Sequence, residues 1–132
     1  VDTSQPGDDA EFEKLKLLFD YTKFHVGIYL TVVGVLTGIV ATSAKDFSFH
    51  FNRAWLISAI VFIVIAGIAG GVLLSSMCHE RRLDLFWNKK LGPFGLRCWP
   101  AKWWASIEHT AFWVAIGCAL CAFFFPSSNR GG

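Results

Sequence analysis

The sequence predicts an all-α integral membrane protein of three transmembrane helices, N-in and C-out, with an interfacial amphipathic helix between the second and third spans. Three observations carry this. The 132 residues are 54% hydrophobic and only 17% charged, against about 25% charged in a typical soluble domain. The apolar residues are concentrated in runs, and one run, Trp55 to Met77, has no charge and exceeds the roughly 20 residues that cross a bilayer core of about 30 Å. Finally, helices apolar all round need a large protein to bury them in water, and this chain is too short to bury three.

Residues 1–8 read as a flexible N-terminus, 9–125 as a single membrane domain and 126–132 as a disordered tail. The opening stretch is polar and acidic, without the basic start and short apolar run of a signal peptide, so the first span is expected to stay in the mature protein. Asp8 or Asp9 is the expected N-cap of the first helix, with acidic residues in its first turn. Phe12, Leu15, Leu18 or Phe19, and Phe24 recur at helical spacing, and Glu13 with Lys16, or Lys16 with Asp20, can pair on the solvated side. One helix is therefore expected to run from the cytoplasm into the bilayer, roughly 50 Å at 1.5 Å per residue.

The first span is expected over 24–44, "FHVGIYLTVVGVLTGIVATSA". It carries Gly27, Thr31, Gly34 and Gly38 on about one face. The second span, 55–77, carries Ala66, Gly67, Gly70 and Gly71. The third, 106–125, carries Ala111, Ala115 and Ala119. In a bilayer such small residues let helices approach closely and associate by packing. They either close a three-helix bundle or leave a face for another chain, so the expected partners are the lipid bilayer and a second copy or other membrane subunits.

Residues 78–105 form the expected cytoplasmic hairpin. In "CHERRLDLFWNKKL", Leu83, Phe86, Trp87 and Leu91 gather on one face, the pattern of a helix lying in the membrane interface. "GPFG" is a turn, and Pro100 suits the first turn of the next helix. Trp87, Trp99, Trp103 and Trp104 on this side and Trp55 on the other read as interfacial anchors. They are not a platform for nucleic-acid bases, which needs an exposed basic groove. Lys14, Lys16, Lys23, Arg81, Arg82, Lys89, Lys90, Arg97 and Lys102 share the side of the N-terminus, leaving Lys45, Arg53 and Arg130 on the other. That bias puts the N-terminus in the cytoplasm, and a bacterial inner (plasma) membrane is the expected location.

The third apolar run, Ala111 to Phe125, rises about 22 Å, less than the hydrocarbon thickness. Spanning draws Glu108 and His109 to the hydrocarbon edge, level with His25. His79 follows the second span on the same side. Imidazole and carboxylate are zinc-type ligands, and ionisable groups inside membranes are often functional, so His25, His79, His109 and Glu108 are the candidate metal or proton site. Against this, three spans oblige these ends to share a side in any case, and interfacial ion pairing is the plainer reading. No motif with metal-ligand spacing lies in the right setting, and no nucleophile triad or phosphate loop is present. Cys118 and Cys121 in "CALC" read as small packing residues inside a span. No cofactor and no enzymatic activity are expected. The expected function is association in the membrane, as an accessory subunit or homo-oligomer. An oligomeric channel, pore or membrane-disrupting effector, and a metal- or haem-binding membrane protein using the membrane-edge histidines, are the alternatives.

Overall fold

A computed structural model describes residues 6–42 and 51–125. Three long helices form the bundle: α1 (Pro6–Thr42), α2 (Arg53–Met77) and α4 (Ala101–Phe124). All three are long and apolar enough to cross a membrane, which is the class of protein this fold defines: a multi-pass, all-helical membrane protein. The expected tail, the end of the first span and Lys45 in the loop after it lie outside the described residues.

α1 is already helical at Pro6, earlier than the expected start at Asp8 or Asp9. Proline is well placed in a first turn, where its missing N–H has no helical partner to lose. The helix continues without a break for 37 residues, or about 55 Å. Its solvated end holds a Lys14–Glu11 ion pair at 2.9 Å in place of the expected pairs to Lys16. α2 has a side-chain cap: the Asn52 carboxamide oxygen accepts from the Ala54 amide at 3.1 Å. The Asn52 amide in turn donates to the Ala122 carbonyl at 2.9 Å, which ties the start of α2 to the end of α4.

The buried residues of α2 and α4 recur in steps of three and four and those of α1 in steps of seven, the seven-residue pattern of left-handed packing. In α2 they include Leu56, Ala59, Ile63, Ala66, Gly70, Leu73 and Met77. In α4 they are Ala101, Trp104, Glu108, Ala111, Ala115, Cys118 and Ala122. The α1 line is Leu15, Thr22, Tyr29 and Leu36, each seven residues after the last. The core forms three successive layers. The first packs Leu15, Leu73, Met77, Phe86 and Trp104. The second packs Tyr29, Ile63, Ala66, Ala111 and Ala115. The third packs Leu36, Leu56, Ala59, Cys118 and Ala122. Alanine faces alanine between α2 and α4, so those two helices approach closely, whereas α1 contributes the larger side chains.

Among the glycines of the long helices, Gly70 marks the tightest approach. A methyl group there would lie 2.8 Å from Val26 Cγ2 and 3.4 Å from Glu108 Oε1. Hydroxyls within the long helices bond back to their own backbone, as Thr22 does to the Leu18 carbonyl at 2.9 Å and Ser76 to that of Val72 at 2.8 Å. Polar groups in hydrocarbon must be satisfied internally in this way. Among the described residues no buried side-chain nitrogen or oxygen lacks a hydrogen-bond partner.

The connection between α2 and α4 differs from the expected interfacial helix over 78–91. It holds a six-residue helix α3 (Leu83–Asn88), a two-residue strand β1 (Lys90–Leu91), a 3-10 turn at Pro93–Gly95 and a second strand β2 (Trp99–Pro100). The strands pair antiparallel, Lys90 with Pro100 and Leu91 with Trp99. Phe86 is fully buried in the first core layer, and Leu83 and Trp87 pack against it. The apolar face is therefore covered by the bundle.

Candidate functional site

The polar centre of the molecule is built by α1 and α4 around Glu108. α4 buries every third or fourth residue, and Glu108 falls on that line between Trp104 and Ala111. Only 1% of it is exposed. The residue opposite on α1 is Tyr29, 3% exposed, whose hydroxyl donates to Glu108 Oε1 at 3.0 Å. Gly70 of α2 supplies the space, since its missing side chain lets the carboxyl lie against the helix backbone.

Two histidines flank this pair. The Nδ1 of His25 is 2.9 Å from the Tyr21 carbonyl, and the Nδ1 of His109 is 2.9 Å from the Ala105 carbonyl. A carbonyl oxygen only accepts, so each Nδ1 carries the hydrogen and each neutral ring presents its lone pair at Nε2. The Tyr21 hydroxyl lies 3.5 Å from His109 Nε2 and is placed to donate to it. The two imidazole centroids are 6.4 Å apart, and the His25 ring lies 4.0 Å from the Tyr21 ring and 6.1 Å from that of Tyr29. Tyr21 and His109 lie on the surface, His25 is half-buried and Glu108 and Tyr29 are enclosed, so the cluster runs from the outside of the bundle to its core.

The structure thus brings together three of the four expected residues, His25, His109 and Glu108. It leaves His79 apart, in a groove between the end of α2 and the hairpin with Ser75, Ser76 and Lys89. Among the described residues, no three of His, Cys, Asp and Glu come together in a way that could hold a metal ion. Glu108 makes no ion pair of the kind the plainer reading expected but bonds to Tyr29, which sequence reasoning missed. The available signal was a lone phenol in an apolar run, one helical turn after His25.

The small-residue faces divide. Ala111 and Ala115 are core, Ala119 packs against the third layer and Gly70 is the close approach. Among the described residues, a methyl group at Gly67 or Gly71 would meet nothing within 4 Å, and the same holds for Gly27, Gly34 and Gly38 on α1. Those three are exposed and lie across the helix from Tyr29 and Leu36, because residues two apart point to nearly opposite sides. The groove beside them is lined by Asp20, Lys23, Phe24, Gly27, Ile28, Thr31 and Val32.

Of the tryptophans, Trp55, Trp99 and Trp103 are exposed and Trp87 is half-buried. Trp104 departs from the expected anchor: it is buried, and its indole N–H donates to the Leu91 carbonyl at 3.0 Å. It sits on the buried line of α4, where it fixes the hairpin to the bundle. Comparison with known proteins finds no family model, no curated protein and no solved structure that matches the chain.

Proposed function

We propose that this chain is a small non-enzymatic membrane protein that works by helix association, and that a second copy docks on the outward face of α1. The observation that carries this reading is the position of Gly27, Gly34 and Gly38. They line a face of α1 that meets nothing among the described residues, directly across the helix from its buried line. A membrane gives no hydrophobic drive to cover such a face, but small residues there allow backbone-close packing and van der Waals association.

The charge pattern favours a copy of the same chain. Asp20 and Lys23 line the same groove as Gly27 and Thr31, so a two-fold axis along α1 sets Asp20 of each copy near Lys23 of the other. A self-complementary patch of this kind suits an isologous dimer. In the cell the N-terminus and the α2–α4 hairpin face the cytoplasm across a bacterial inner membrane, as the lysine and arginine bias supports.

The test is energy transfer between labelled full-length chains reconstituted in vesicles at falling protein density. Density-dependent transfer that Gly34→Leu abolishes is the expected result. Monomers at every density would overturn the dimer, and capture of a defined second membrane protein through the same face would make the chain an accessory subunit.

A further inference from the structure

We infer that Glu108, His25 and His109 form a proton-binding site inside the membrane bundle, entered from the surface at His109 and Tyr21. A carboxylate removed from water is costly unless it is paired and hydrogen-bonded. Glu108 is almost wholly enclosed by α1, α2 and α4, yet its side-chain hydrogen-bond partner among the described residues is one neutral hydroxyl, that of Tyr29. One phenol does not neutralise a charge. A proton does, in either of two places. It can sit on the carboxyl, or it can sit on an imidazole beside a carboxylate.

The described elements around Glu108 supply no other compensation. On α1 the titratable groups of the cluster are Tyr29, which bonds the carboxyl, His25 beside Tyr29 and His109, and Tyr21 beside His109; on α4 it is His109, the residue after Glu108. On α2 the residue against the carboxyl is Gly70, which does not titrate. Among the described residues no lysine or arginine bonds to Glu108, whose side-chain partner is the Tyr29 hydroxyl.

The histidine geometry suits the transfer. With both Nδ1 atoms committed to the carbonyls of Tyr21 and Ala105, each ring has one vacant proton position, at Nε2. A proton arriving at the surface is accepted at His109 Nε2 as its bond from the Tyr21 hydroxyl is released. It either stays, as imidazolium beside carboxylate, or passes to Glu108 and leaves the imidazole neutral. The site takes up one proton, and the three groups titrate as a unit. Two imidazoles and one carboxyl could hold a metal ion by number, but among the described residues no three such groups come together so as to do so; binding a proton needs no such convergence.

The site is tested by infrared titration of the full-length chain in lipid vesicles. A protonated carboxyl gives a carbonyl stretch separate from the amide bands. The expected result is such a band that grows as the pH falls and that is missing in Glu108→Gln. His109→Gln, at an exposed position that leaves the core untouched, is expected to move the midpoint by about one pH unit. Two results would each overturn the inference: a Glu108→Gln spectrum that superimposes on the wild type at every pH, or a carboxyl band whose midpoint ignores both His109→Gln and His25→Gln.

Discussion

Glu108 shows how one residue can be legible in type and position but not in partner. The short apolar run after it marks it as drawn towards the membrane, and His25 and His109 follow from the same length argument. Tyr29 does not, because nothing in a single sequence says which face of α1 turns towards α4. Its hydroxyl is the donor to an enclosed carboxyl, and removing one partner of a buried bond costs the desolvation of the other, about 1–3 kcal/mol. Tyr29→Phe is therefore expected to lower the unfolding midpoint in mixed micelles, while Glu108→Gln, which keeps an oxygen for Tyr29, lowers it less. At Gly70 the 2.8 Å approach to Val26 leaves no room for a side chain. Gly70→Val is expected to destabilise the bundle by about 1–3 kcal/mol through overpacking, whereas Gly34→Val, with open space around it, leaves the monomer's unfolding unchanged.

Among the elements, the α2–α4 hairpin carries most of what sequence periodicity could not resolve. Leu83, Phe86, Trp87 and Leu91 fit one face of a helix, but the helix stops at Asn88 and Leu91 reaches the core from a strand. The strand is held by tertiary bonds, from the Trp104 indole and the Cys98 amide to the Leu91 carbonyl, and these override local pattern. Trp104→Phe removes one of them without emptying the core. It is expected to raise protease cleavage in 89–99 while the long helices stay intact. Phe94, at the turn, has a φ of 57° and a fully exposed ring. Left-handed backbone costs a non-glycine residue roughly 1–2 kcal/mol, so Phe94→Gly is expected to slow cleavage of the same segment. At the start of α3, the Arg82 guanidinium holds the Asp84 carboxyl below its ordinary value. The pairing is present above the unfolded carboxyl's range and lost as pH falls through the lower folded value. Amide exchange over 82–89 should accelerate only in that acid window, and Asp84→Asn should remove the pH dependence.

For the molecule as a whole, orientation and assembly have separate readouts. Cys98 and Cys78 are exposed, while Cys118 is buried in the third layer. In intact cells a membrane-impermeant maleimide is expected to miss Cys98 and to label it after the cytoplasmic side is opened. Labelling of Cys98 from outside intact cells reverses the orientation. The proposed dimer face of α1 and the side of that helix that carries Tyr29 towards Glu108 lie opposite each other, so Gly34→Leu is expected to abolish only the proposed dimerisation and Glu108→Gln only the proposed proton binding.

The sequence by itself determined the number and rough bounds of the long helices, because an uncharged apolar run of bilayer length has few other structures open to it. It also determined that His25, His109 and Glu108 lie at a common level, since span length sets depth along a helix. Rotation about each helix axis was decided only by tertiary packing. Apolar residues surround these spans almost evenly, so hydropathy carries no direction. The direction comes from where side chains are small enough to meet. Alanine between α2 and α4 and the open space at Gly70 turn Glu108 inward to Tyr29, and the same rotation leaves the glycine face of α1 outside.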